Sequence, residues 1–285
     1  MPRAAPRRPV LDWARSTWPG RVLITSVTAF FRLEMFDRSM AIAAQLYTSV
    51  VPILIIVTTW ASSRNANSIA DFVDRPAQTQ AVLEDAIEGA RSATIGLLGA
   101  LMLLASATSL SRALTRAFAA VWSVSRPKST LLRSASRWLA VVLVLSLAVI
   151  VVDVARGPLE SLPPPGAWPH LLTLATDATL GLLLPWLLLE GSVAHRRLAP
   201  GALTFAALML AVRPATHAWL PPALDVSSDR YGTIGVSFTY IALLYTLSFC
   251  FLAAAVTGHA IAADSGSLGT WIREGRGEPS PRPAT

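Results

Sequence analysis

Uninterrupted apolar stretches of helical length are the feature that most restricts this chain. Residues 93–107 and 138–152 contain no charged side chain. They neither alternate, as a half-buried strand would, nor carry the polar face of an amphipathic helix. Six such runs can be drawn, over about 39–61, 94–117, 137–155, 169–190, 198–220 and 233–260. Each is near the ~20 residues that cross a ~30 Å hydrocarbon core. Only 14% of the 285 residues are charged and 53% are hydrophobic, where a soluble domain carries roughly 25% charge. Too little polar surface remains to solvate a globule of this size. The expected fold is therefore all-α, a polytopic membrane helix bundle with about six transmembrane helices.

Charge placement supplies an orientation. Eighteen of the 24 Lys and Arg fall before the first run, in or flanking the second connection, in the fourth connection and after the sixth run, against six in or near the connections of the alternate side. Basic loops stay cytoplasmic, so both termini are expected inside. Arg21 to Phe36 mixes Arg21, Thr25, Thr28 and Arg32 with Val22, Val27, Phe30 and Phe31. That pattern suits an N-terminal interfacial helix at the inner surface, a cytoplasmic soluble helix being the alternative. Residues 1–20, with four arginines and four prolines and no apolar core before a small-residue cleavage site, read as a disordered basic cytoplasmic tail and not a signal peptide. Residues 21–262 form the expected six-helix membrane domain and 263–285 a second disordered cytoplasmic tail.

The net charge of +7 raises a nucleic-acid reading, but the basic residues sit at the ends of apolar runs and no recognition motif accompanies them. Cys250 is the single cysteine, which leaves no intrachain disulfide and no cysteine metal site. The four histidines are scattered, and phosphate loops, zinc-protease motifs and nucleophile elbows are missing. No catalytic residue, cofactor or metal is expected, and the chain is read as not an enzyme.

Function is then sought among the polar residues inside the apolar runs, where each costs several kcal/mol if it faces lipid. Gln45 and Thr48 lie on one helical stripe with Arg38, Ala41 and Pro52, expected to face the bundle. At ~1.5 Å per residue, Arg213 lies about 21 Å from the inner end of the fifth run and Asp153 about 24 Å from the inner end of the third. Asp177 lies about 10–12 Å from the outer end of the fourth. An ion pair of Arg213 with Asp177 or Asp153 is expected. With Tyr240 in the last run, these residues form a candidate interior polar pathway: Gln45, Thr48, Asp153, Asp177, Arg213 and Tyr240. The bland alternative is that they hold helices together. Arg112, Arg116, Arg126 and Lys128 are candidate contacts for anionic lipid, or simply obey the orientation rule.

Residues 37–55, DRSMAIAAQLYTSVVPILI, resemble the first-span motif of the YihY/BrkB family of bacterial inner-membrane proteins: an aspartate, an alanine-rich turn, an aromatic, a Ser or Thr pair and a proline. Residues 231–260, opening YGTIG, are similar to that family's final span, and 110–122, LSRALTRAFAAVW, to its basic segment after the second span. Where family members often end the last span with Gly, Ala, Glu and Asn, this chain has Val256, Thr257, Gly258 and His259, which removes the acidic residue. The resemblance covers about residues 20–262. It implies six spans, a plasma-membrane location and a role in envelope or lipid-related transport. Part of that family has carried a ribonuclease label, which the lack of a cytoplasmic acidic metal cluster speaks against. The expected function is a transporter or flippase-like protein for a lipidic or envelope component, the alternative being a non-transporting membrane scaffold or regulator of envelope biogenesis. The expected partners are membrane lipids and a lipidic or amphipathic substrate, with a homo-oligomer left open and no nucleic acid.

Overall fold

A computed structural model describes residues 17–62, 93–125, 140 and 167–274, and the described residues are helical without a strand among them. The elements are α1 (Trp18–Arg32), α2 (Met35–Ser62), α3 (Ala93–Val121), α4 (Ala167–Leu188), α5 (His195–Ala263) and α6 (Ser267–Glu274). The five of the six apolar runs that fall on described residues lie on α2 to α5, the fourth passing two residues beyond the end of α4. The third, over 137–155, falls outside the described residues but for Ala140. Among the described residues, α4 and α5 are long and apolar enough to cross a membrane, with mean hydropathy of 1.6 and 2.0 in their most apolar windows.

α5 is a hairpin. Gly232 alone departs from helical geometry (φ 59°, ψ −142°), in a region that only glycine occupies without strain. The chain therefore reverses over one residue. Limbs 195–231 and 233–263 lie antiparallel, so that Ser227 meets Thr239 across 2.8 Å near the tip and Gly201 meets Gly258 near the base. A Cβ on Gly258 would collide with the Gly201 backbone, so small residues set the approach of the limbs. The sequence placed the end of the fifth run at Leu220, followed by an outer loop. Instead the helix continues through Pro221 and Pro222 to Tyr231, because residues 223–231 contain no glycine and gain a partner in the second limb.

The other elements gather around the base of this hairpin. Phe118, Met35, Leu188, Leu189, Leu252 and Val256 are fully buried there. Phe251 stands edge-on to both Phe118 and Phe205, at 5.1 and 5.0 Å between ring centres. α1 joins α2 through Leu33 and Glu34. Glu34 takes a positive φ of 51°, and Arg38 Nε donates to the Leu33 carbonyl across 2.7 Å, satisfying an acceptor that the end of α1 leaves open. α4 ends on the positive-φ residues Glu190 and Gly191, where the Gly191 amide bonds back to the Trp186 carbonyl at 2.9 Å.

Two tail assignments need correction. α1 begins at Trp18, inside the expected N-terminal tail, with Pro19 in its first turn, where the missing amide costs nothing. α6 occupies part of the expected disordered segment 263–285. It is held there because Arg273 Nη1 donates to the carbonyls of Ala262 (2.8 Å) and Asp264 (2.9 Å) at the open end of α5.

Candidate functional site

In α4, Asp177, Gly181, Leu184, Pro185 and Leu188 recur at helical spacing and are all buried. The matching stripe of α5 is Leu198, Ala202, Ala206 and Met209, also buried, and Arg213 continues it one turn further. The helices run antiparallel and close together, since a Cβ on Gly181 would lie 3.0 Å from the Ala202 Cα. That register carries Arg213 to Asp177. Its Nε donates to Asp177 Oδ2 at 3.2 Å and its Nη2 donates to Oδ1, a bidentate fork in which each carboxylate oxygen accepts a charge-assisted bond.

The two partners are unequally covered: the Asp177 side chain is 5% exposed and that of Arg213 is 48% exposed. Asp177 lies about 15 Å from either end of α4 at the rise of a helix, so the pair is mid-helix. A guanidinium has five N–H donors, and Asp177 takes two of them, on the covered side. The exposed edge presents a fixed positive charge that suits a second anionic group, such as phosphate or carboxylate.

The expected inward stripe of α2 is turned: Ala41 and Thr48 are exposed and Arg38 and Gln45 half-buried, while Ser39, Ile42, Ala43 and Ser49 are the covered residues. The buried serines lose little by facing inward, because each bonds within its own helix, Ser39 to the Met35 carbonyl and Ser49 to the Gln45 carbonyl, both at 2.7 Å. Thr48 does the same to the Gln45 carbonyl at 3.0 Å while facing outward. Tyr240 is half-buried on the second limb of α5. Asp153, Arg126 and Lys128 lie outside the described residues. Arg112 and Arg116 are exposed on α3, with Arg116 Nε donating to the Arg112 carbonyl at 3.2 Å. Among the described residues, no three His, Cys, Asp or Glu come together as a metal site.

Three features carry little sequence signal. Ser106 of α3 lies 2.6 Å from Ser49 of α2. With the Ser49 hydrogen committed to Gln45, Ser106 is the donor, and the bond ties two apolar helices together. Near the tip of α5 a cavity of about 750 Å³ opens between the limbs, walled by Trp219, Pro222, Val226, Tyr231, Ile234 and Phe238 among others. Among the described residues, none of the candidate pathway lines it. Of its polar groups Ser227 and Thr239 bond to each other, which leaves the Tyr231 hydroxyl and the Trp219 indole on an otherwise apolar trough. At the opposite end, Arg21 and Asp264 form a second bidentate pair, Nε to Oδ1 at 3.1 Å and Nη2 to Oδ2 at 3.2 Å. The donated bonds from Arg21, helped by the Gly266 amide at 2.9 Å, hold the Asp264 carboxyl below the usual aspartate range, and the carboxylate in turn raises Arg21.

No protein-family model, no curated protein and no solved structure matches the chain.

Proposed function

We propose that the chain is a six-span protein of the bacterial inner membrane, with both termini cytoplasmic and α1 at the inner interface, and that it binds and moves a lipidic or amphipathic envelope component. The observation that carries this reading is the uneven coverage of the Asp177–Arg213 pair. A charge half-exposed at the middle of a membrane helix is costly against hydrocarbon alone. The cost falls where water or a polar headgroup reaches it, and the exposed guanidinium edge offers a headgroup oxyanion a bidentate partner. The largely apolar trough between Trp219 and Phe238, in which Ser227 and Thr239 bond to each other, suits an alkyl chain.

Reconstitution into proteoliposomes with headgroup-labelled phospholipid tests the reading. Arg213→Ala is expected to abolish protein-dependent movement of the probe between leaflets and Asp177→Asn to slow it severalfold. Unchanged movement in both variants refutes the pathway. A scaffold without transport is favoured by one observation, that both charges already have each other as partners. In that case no probe moves with the unaltered protein either, and the two variants lower its stability only.

A further inference from the structure

α1 has three faces. Taking ~100° per residue and Val22 as origin, the buried residues Val22, Ser26 and Phe30 span about 0–80°. Leu23, Val27 and Phe31 follow at about 100–180° and are 64%, 46% and 65% exposed. Arg21, Thr25, Thr28 and Arg32 occupy about 240–300°. A helix between protein and water needs two faces. An uncovered apolar face beside an uncovered polar one calls for a third phase, and a bilayer surface supplies it.

α6, at the other end of the chain, repeats the arrangement on a smaller scale. Gly269 and Ile272 are buried, Leu268 and Trp271 are exposed, and Ser267 and Thr270 lie on the remaining side. Arg196, at the start of α5, stacks over the Trp271 ring at 5.2 Å, which sets a cation at the edge of the apolar face. The two helices are joined through Asp264, the residue that caps α5. Its side chain takes the Arg21 fork while its own carbonyl accepts from Arg273.

We infer that α1 and α6 form one composite docking surface for the inner leaflet, assembled from both ends of the chain and fastened by the Arg21–Asp264 pair. Leu23, Val27, Phe31, Leu268 and Trp271 enter the acyl boundary, and Arg32 and Arg196 sit at phosphate level, where anionic headgroups match their charge. The sequence alone suggested such a role for α1 and none for α6. The inference rests on the membrane reading proposed above, and its test separates the two.

Full-length protein with Cys250→Ala is spin-labelled at single cysteines and placed in nanodiscs of phosphatidylcholine and phosphatidylglycerol. Labels at Val27→Cys and Trp271→Cys are expected to be reached by oxygen and severalfold less by a water-soluble nickel chelate than labels at Thr28→Cys and Ser267→Cys. Phe238→Cys, on the exposed surface of α5, reports the span itself. If the labels at positions 27 and 271 meet nickel as readily as those at 28 and 267 while the Phe238→Cys label stays oxygen-rich, the composite surface is wrong and the membrane reading stands. If the Phe238→Cys label is in water too, both fall. Arg21→Gln is expected to raise nickel access at positions 27 and 271, and Arg21→Asp with Asp264→Arg to restore protection. Protection unaffected by Arg21→Gln would overturn the role of the pair as fastener.

Discussion

Arg213 grips Asp177 from the exposed side: the guanidinium is about half uncovered while the carboxylate beneath it is almost fully enclosed. The two halves of the pair are therefore not equivalent on removal. Arg213→Ala strands a buried carboxylate and is expected to cost ~3 kcal/mol, the low end for breaking a buried pair, since exposure of the arginine weakens the bridge. Asp177→Asn leaves a cation that can turn outward and is expected to cost about half as much. The double variant Asp177→Asn, Arg213→Gln should fall between them. Thermal unfolding in detergent gives the order, and equal losses for the two single variants would contradict the unequal burial.

Gly258 and Gly232 are glycines for different reasons. Gly258→Ala drives a methyl into the Gly201 backbone and should cost about 1–3 kcal/mol through overpacking. Gly201→Ala, whose Cβ would stand 3.3 Å from the Ala254 carbonyl, should cost less. A Cβ on Gly232 meets nothing within 4 Å, yet Gly232→Ala should cost roughly 1–3 kcal/mol from the backbone conformation alone. The three nearest neighbours of a Cβ on Gly201 are all backbone atoms, of Ala254, Gly258 and Ala255, so Ala254→Gly is expected to leave the costs of both Gly201→Ala and Gly232→Ala unchanged, as read by melting temperature.

The hydroxyl bond between Ser49 and Ser106 joins α2 to α3. A double-mutant cycle with Ser49→Ala and Ser106→Ala should give a coupling of about 0.6 kcal/mol, the usual size for such bonds in membrane proteins. Ser49→Ala alone should cost little more than the coupling, because the Gln45 carbonyl keeps its partner in Thr48. A coupling of zero would mean that the helices do not meet at this level.

The Arg21–Asp264 pair makes the anchorage of α1 dependent on acid and not on base. The aspartate is depressed in the folded protein, so its contribution is present above the ordinary aspartate range and is lost as pH falls through its lowered value. The arginine is raised, so its contribution is intact at every pH below its ordinary value. Protection of the α1 amides against hydrogen exchange, taken relative to the intrinsic rate at each pH, should hold from neutral to mildly acidic pH and fall in strong acid. Asp264→Asn should show the lowered protection at neutral pH, and a loss of protection on going from neutral to alkaline pH would contradict the sign.

Long apolar runs announced the helices around Ser39, Ala100, Leu180 and Leu252, because run length alone decides what can cross or line a bilayer. Depth along those runs also brings Arg213 to the level of Asp177, since opposite charges set among apolar side chains are satisfied most readily by each other. Polarity does not mark the covered surface of α2. Ser39 and Ser49 satisfy themselves on their own backbone, and packing volume decided instead, with Ile42 and Ala43 inward and Thr48 outward. α6 has little local signal, because its eight residues include Gly269 and stand between Gly266 and Gly275. Arg273 and the end of α5 hold it in place. The trough near Trp219 depends on how two limbs diverge, which no local pattern encodes.

The single-residue reversal at Gly232 and the glycine contact at the base clamp the two limbs of α5 at opposite ends, as the rails of a ladder are fixed by its first and last rungs. Such a frame resists splaying at either end, so a force on one limb is carried by both. Relative motion in this protein is then directed to the joints between the frame and its neighbours, α2 on one side and α4 on the other, and the Asp177–Arg213 pair spans the second of those joints.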